Sequence, residues 1–210
     1  YENSVRIEAK ENRNKVDTAQ IIRHLMELLP EDAIVTNDAG NFSGWLHHYY
    51  QFKRPKTYIG PTSGAMGYGV PAAMGIKLAR PQQTVVTLCG DGGLMMTVQE
   101  LETAVRYQVP FIVLLFNNNM YGTIRMHQEK HHPYRVIGTE LTNPDFVRLG
   151  EAFGLYTRRV TCDAEFREAF QSAVRENRPA LIELVCDPEH ISFLTTIAEI
   201  RRKAAAQRTP

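Results

Sequence analysis

The sequence predicts an α/β domain: a doubly wound, mostly parallel sheet flanked by helices. Two observations carry this. Strand-length apolar runs alternate with helix-length amphipathic segments from about residue 18 to residue 185. Two of the runs, Thr84-Val85-Val86-Thr87-Leu88-Cys89 and Phe111 to Phe116, show no period-two alternation. That is the pattern of strands covered on both faces, as in parallel sheets.

Residues 1–16 are polar and charge-rich and read as a linker or lead-in strand. Thr18 is the expected cap of a helix over 19–29, where Ile21, Ile22, Leu25, Met26 and Leu29 recur at helical spacing and Pro30 ends the run. Ala33-Ile34-Val35-Thr36 is a short strand. A loop, Asp38-Ala39-Gly40-Asn41, leads to a helix through Trp45 and Tyr49, with His47-His48 on its surface. Residues 67–79 predict a helix with Pro71 in its first turn. After the strand ending at Cys89 comes the loop Gly90-Asp91-Gly92-Gly93. A single helix is then expected, with Leu94, Val98, Leu101 and Val105 on one face. The strand ending at Phe116 is cut off by Asn117-Asn118-Asn119. Helices follow near 145–153 and 164–176, and strands near 155–160 and 180–185. The expected organisation is a lead-in (1–16), one domain (17–195) and a C-terminal helical tail (196–210) whose end is frayed.

Composition narrows the class. With 24 Lys plus Arg against 23 Asp plus Glu the net charge is +1, which argues against a nucleic-acid binder. No apolar stretch approaches the roughly 20 residues of a membrane span. The three cysteines, Cys89, Cys162 and Cys186, form no CxxC pair. That argues against a zinc or iron–sulfur cluster and suits a reducing cytoplasmic location. No apolar leader is visible. The first residue is Tyr1 rather than Met, so the chain is expected to be a piece of a longer protein or one with its start processed.

In open α/β sheets ligands bind beyond the carboxyl ends of the strands. Three loops with unusual content fall there: 38–41, 90–93 and 117–122. A glycine-rich loop between a buried strand and a helix offers backbone N–H groups to an anion. Asp91 in the middle of it would repel a phosphate unless a divalent cation bridged the two. Mg²⁺ takes oxygen ligands of this kind together with substrate phosphates. Asn118 offers an amide oxygen and Met120 a backbone carbonyl. A Mg²⁺–diphosphate clamp on Asp91, Asn118 and Met120 is the expectation; an ordinary Gly-Asp-Gly turn is the alternative for that loop alone.

Gly90-Asp91-Gly92, then residues 93–116, then Asn117-Asn118, resembles the thiamin diphosphate (ThDP) motif. Thr62-Ser63-Gly64-Ala65-Met66-Gly67-Tyr68-Gly69-Val70-Pro71-Ala72-Ala73 and Leu141-Thr142-Asn143-Pro144-Asp145-Phe146 are similar to further segments of acetolactate synthase-like enzymes. The resemblance, to their C-terminal ThDP-binding domain, runs from about residue 18 to about residue 190. It implies ThDP and Mg²⁺ as cofactors and a reaction on small 2-oxo acids, either decarboxylation or carboligation through a ThDP ylid. It implies metal ligation by Asp91, Asn118 and the Met120 carbonyl, and diphosphate contacts from Gly40, Asn41, Gly90, Gly92 and Gly93. Gly64, Ala65 and Met66 would hold the pyrimidine, with Met66 supporting the bent cofactor. Tyr121, Met126 and His127 would face cofactor or substrate.

The pattern departs from the family in two places. Acetolactate synthases carry Gln-Trp-Gln where this chain has Met126-His127-Gln128. The activating glutamate of the family lies in a separate pyrimidine-binding domain, for which this chain has no counterpart. The chain alone is therefore expected to be incomplete as a catalyst. It would need that domain from a longer polypeptide or a separate subunit, and would form a homodimer or a higher assembly. Two other readings remain. A cofactor-binding module not catalytic by itself fits the missing glutamate. A dinucleotide-dependent oxidoreductase fits poorly, because Gly64, Gly67 and Gly69 run in the order GxxGxG with no buried strand before them. His127 and His131, one helical turn apart, fit a polar helix face or a loop better than a metal pair.

Overall fold

The structure, a computed structural model, describes residues 15–207 together with Val5, Ile7 and Glu8. Six strands form one sheet: β1 (Ile34–Asn37), β2 (Tyr58–Ile59), β3 (Val85–Gly90), β4 (Ile112–Asn117), β5 (Tyr156–Val160) and β6 (Ala180–Val185). Their spatial order is β2-β1-β3-β4-β6-β5, and every pairing is parallel. The continuous apolar runs are the central strands, β3 and β4, as their composition predicts. Both are buried along their lengths save for Gly90 at the end of β3.

Alternate residues of these strands face two cores. Val86, Leu88, Leu114 and Phe116 meet α1 (Thr18–Leu28), α2 (Ser43–Tyr49) and α8 (Asp163–Glu176) through Ile21, Leu25, Leu46, Phe166 and Phe170. Val85, Cys89, Val113 and Leu115 meet α3 (Gly69–Ala79), α4 (Asp91–Met96), α5 (Glu100–Arg106) and α7 (Phe146–Phe153) through Val70, Ala73, Leu94, Leu101 and Phe146. Burying one such side chain contributes roughly 1.5–3 kcal/mol, so these two layers dominate the fold's stability. Two further helices, α6 (Gly122–His131) and α9 (Ile197–Ala206), pack on each other beyond the end of β4. Among the described residues no helix is long and apolar enough to cross a membrane.

Local signals explain most boundaries, and several expectations are corrected. Asp17, not Thr18, caps α1: its carboxylate accepts the Ala19 N–H at 2.9 Å and Thr18 is already helical. The helix expected at 67–79 starts at Gly69, because Gly67 takes a left-handed φ of +83°. The loop expected at 90–93 is instead the start of a helix at Asp91, and the single helix expected over 94–105 is two, α4 and α5. Thr97 leaves the helical region there, and its hydroxyl donates to the Gly67 carbonyl at 3.0 Å. The tail is better ordered than a frayed end. Thr196 and Glu199 form a reciprocal capping box, and Arg201 of α9 pairs with Glu129 of α6. Its last residues, 208–210, lie outside the described residues. Most of the lead-in does too, but Ile7 packs on the first core and Val16 is buried and bridges Cys186.

Candidate cofactor site

The strand order reverses between β1 and β3: the chain leaves β1 for β2 on one side and returns to β3 on the other. A crevice opens beyond the carboxyl ends at such a switch point. The three chemically unusual loops leave β1, β3 and β4 there. One cavity is lined by Ala39–Phe42, Gly90–Gly93 and Asn118 with Met120–Ile124, and Met66 reaches it from the turn before α3. Gly40, Asn41, Met66, Gly90, Asp91, Gly92, Gly93, Asn118, Met120 and Tyr121 are therefore brought together. Gly64 and Ala65 lie in the exposed turn before Met66 and do not line the cavity. His127 lies outside it as well, on α6, its ring stacked on His131 at 6.1 Å between centroids. Among the described residues no group of three His, Cys, Asp or Glu side chains is set to hold a metal.

Glycine shapes this cavity by letting aromatic rings close on the backbone. A Cβ on Gly92 would stand 2.5 Å from the Tyr121 ring, and one on Gly40 2.5 Å from the Phe42 ring. Phe42 in turn stacks on Phe116 at 5.4 Å. Gly93 is tighter still: a Cβ there would lie 2.0 Å from Asp38 Oδ2. Gly93→Ala is thus expected to displace Asp38 and lower stability by about 1–3 kcal/mol. Gly75→Ala, in α3 with nothing within 4 Å of the new Cβ, is expected to raise stability by about 0.5–1 kcal/mol. Paired thermal melts check both.

Asp91 opens α4 and is 2 % exposed. Its Oδ1 accepts the Gly92 N–H at 3.0 Å and its Oδ2 the Asn143 amide at 2.8 Å. Burial pushes its carboxyl above the usual range, against the pull of those donors. The same Asn143 amide lies 3.1 Å from Asn117 Oδ1 and 3.1 Å from Asn119 Oδ1. Asn117 is anchored from behind: its amide donates to the buried Glu183 at 2.8 Å, and Glu183 is paired with Arg159 at 2.7 Å. Asn118 turns the chain, its Oδ1 accepting the Met120 N–H at 3.3 Å, and Asn119 is left-handed at φ +56°. The loop is pinned by residues 139–141, through Tyr121 N–H to the Thr139 carbonyl and Leu141 N–H to the Asn119 carbonyl. Asn41 reaches across to α6, accepting from the Thr123 hydroxyl at 2.9 Å. Asn143 and Glu183 carry no periodic or motif signal of their own; only the Leu141–Phe146 resemblance pointed near the first.

The charge balance of the lining is decisive for what can bind. Among the described lining residues there is no lysine and no arginine; Asp91 and Asp187 are both present, and the lining histidine, His190, is paired with Asp187 at 3.1 Å. A polyanion such as a diphosphate would meet the backbone N–H of Gly93, and that of Gly92 in exchange for its bond to Asp91 Oδ1, but no side-chain guanidinium or ammonium. Its charge fits beside Asp91 only with a divalent cation between them. The residues therefore suit a metal–diphosphate pair: a buried carboxylate, an amide oxygen, carbonyls on a turned loop, and glycines that leave no room for side chains.

A parallel α/β sheet with this site at its switch point is a cofactor-binding domain. The model of the family "Thiamine pyrophosphate enzyme, C-terminal TPP binding domain" matches residues 38–184, and the chain belongs to that family. The cofactor of such domains is thiamin diphosphate. The chain is 36% identical over 169 residues to the acetolactate synthase isozyme 2 large subunit of Escherichia coli, covering 80% of this chain and 31% of that protein. It is 33% identical over 177 residues to a probable acetolactate synthase large subunit of Methanocaldococcus jannaschii, covering 80% of this chain and 30% of that one. Its fold matches a solved thiamine diphosphate-dependent 4-hydroxybenzoylformate decarboxylase of Rhodococcus jostii RHA1 with a TM-score of 0.80 and 30% identity. That match covers 86% of this chain and 34% of the decarboxylase. The chain thus spans about a third of the length of these relatives.

Proposed function

We propose that this chain is the diphosphate- and Mg²⁺-binding part of a ThDP-dependent enzyme that decarboxylates or joins 2-oxo acids. The observation that carries the reading is the convergence of Asp91, Asn118, Met120, Gly92 and Gly93 on one cavity whose described lining lacks any Lys or Arg. Asp91, the Asn118 amide oxygen and the Met120 carbonyl would hold Mg²⁺. Gly92 and Gly93 would donate backbone N–H groups to the diphosphate, with Gly40, Asn41 and Gly90 closing its other side. Met66 would support the cofactor between its rings, next to Gly64 and Ala65 on the pyrimidine side. When bound, the cofactor supplies the electron sink for loss of carbon dioxide from a 2-oxo acid. The chain's own part is orientation, charge and exclusion of water. Phe42, Trp45, Phe116, Tyr121, Ile124 and Ile191 give that cavity an apolar wall. A low-dielectric wall favours loss of a carboxylate's charge. Tyr121 would face cofactor and substrate, and His127, one turn beyond Thr123 on α6, would meet substrate from outside the cavity.

The reading includes a pyrimidine-binding domain bearing the activating glutamate, from the same polypeptide or another subunit, and an active site shared between chains of a dimer or larger assembly. The three cysteines are free, which suits a reducing, cytoplasmic setting. Its test is carbon dioxide release from pyruvate and from 4-hydroxybenzoylformate, with ThDP and Mg²⁺. The chain is assayed alone and joined to a pyrimidine-binding domain. Turnover is expected only with both parts, and metal-dependent. Cofactor binding with no turnover of any 2-oxo acid by the joined protein would leave a binding module and refute the catalytic reading.

A further inference from the structure

Asp38 directly follows β1 and is completely buried. Among the described residues it makes no ion pair. Its carboxylate is held by backbone N–H groups alone: Ala39 at 2.8 Å, Gly67 at 3.0 Å and Tyr68 at 3.2 Å. A buried carboxylate without a cation is costly, and burial pushes its proton affinity up. Two of its three donors come from a segment 29 and 30 residues away, the turn that delivers Met66 to the cavity. On its other side Asp38 presses on Gly93 in the first turn of α4, where no Cβ would fit. The N–H of Asp38 itself donates to the Leu88 carbonyl at 2.8 Å, which ties it to β3. Gly67 is fixed from the opposite direction by the Thr97 hydroxyl, 3.0 Å from its carbonyl.

Three segments that line the cavity therefore meet at one carboxylate that does not itself line it. We infer that Asp38 is a positioning residue that sets the height of the 64–68 turn above the diphosphate loop. It would thereby govern how the ring end of the cofactor is held rather than its diphosphate end. The inference rests on the ThDP reading above. Asp38→Asn tests it with little change of shape. The amide keeps an oxygen for Ala39 and Tyr68 but turns an N–H₂ group toward the Gly67 N–H, donor against donor. Thr97→Val removes the second tie on Gly67 and is the control that leaves Asp38 untouched.

Each variant and the original chain are titrated, with Mg²⁺ present, with ThDP and separately with inorganic pyrophosphate. Backbone hydrogen exchange at Gly67 and Tyr68 is read in the unliganded chain. Asp38→Asn is expected to weaken ThDP binding about tenfold, the scale of one lost charge-assisted hydrogen bond, while pyrophosphate changes by less than about twofold. Exchange at 67–68 is expected to rise selectively, and Thr97→Val to shift both readouts the same way by less. Equal losses for both ligands would make Asp38 a purely structural group and overturn the proposal. Unchanged exchange at 67–68 would overturn it too. If the original chain binds neither ligand, the cofactor reading has failed, and the exchange result still decides whether Asp38 holds the turn.

Discussion

Asp91→Ala is expected to abolish Mg²⁺-dependent stabilisation by ThDP while leaving the unliganded protein as stable as before, or slightly more so. The reason lies in the two opposite demands on one side chain. Without a cation, the buried Asp91 carboxyl has its proton affinity raised by burial. A carboxyl raised in the folded state favours the protonated form, so its ionised form at neutral pH weakens the fold. Alanine removes that cost, which offsets the loss of the first-turn charge and of the acceptor for the Gly92 N–H. The Asn143 amide keeps Asn117 and Asn119 as acceptors. With the ligand the balance inverts, because a diphosphate beside a cavity with no described Lys or Arg depends on the metal for its charge. At about 100 times the dissociation constant the original chain should gain about 2.7 kcal/mol. For a domain of this size that is a rise of roughly 5–10 °C in melting temperature. Thermal unfolding of both proteins with and without ThDP and Mg²⁺ measures it. An equal rise in the variant would remove Asp91 from the metal site.

Glu129→Gln should cost the unliganded protein about 3 kcal/mol at neutral pH, roughly 6–12 °C of melting temperature. Glu129 is fully buried on α6. Its carboxylate accepts from Arg201 Nε at 2.9 Å, from Arg125 Nε at 3.0 Å and from the Tyr134 N–H at 3.3 Å. The Arg201 guanidinium first, then the Tyr134 N–H and Arg125, hold its pKa at about 2 against an ordinary 4.5, despite burial. A depressed carboxyl stabilises the fold above its unfolded pKa and loses that contribution as pH falls through its folded one. The stability difference between the original chain and Glu129→Gln should therefore be flat above about pH 5 and shrink between about pH 4.5 and 2. Denaturant unfolding of the pair across that range checks it, and a constant difference would contradict the ion-pair account. The matter is functional because α6 begins with the cavity wall, Gly122 to Ile124, and α9 holds α6 through this cluster.

β3 and β4 were legible because burial on both faces leaves an unbroken apolar run. The Gly90–Gly93 and Asn117–Asn119 segments were legible because glycines, asparagines and an aspartate break those apolar runs, although Asp91 to Gly93 open α4 instead of forming a loop. β2 was not: it is two residues long, exposed, and held by main-chain pairing with β1. α6 could be read as a helix face or as a loop, because its buried side chain is a glutamate neutralised by an arginine more than seventy positions away. The break between α4 and α5 depends on Thr97 reaching Gly67, a contact with no trace in the helical period. Asp38 and Asn143 lay in segments the sequence singled out, but their roles, and Glu183 altogether, were illegible for the same reason. Each acts through polar contacts with residues distant in the chain, and such contacts leave no periodicity.

The most direct test of the central claim is a calorimetric titration of the chain with ThDP in Mg²⁺ and again in EDTA, with thiamin as the ligand lacking diphosphate. The site described here predicts saturable binding of ThDP in Mg²⁺, loss of it in EDTA, and no binding of thiamin under either condition. Equal binding of ThDP with and without the metal would contradict a site in which a shared cation offsets the charge of Asp91 against the diphosphate.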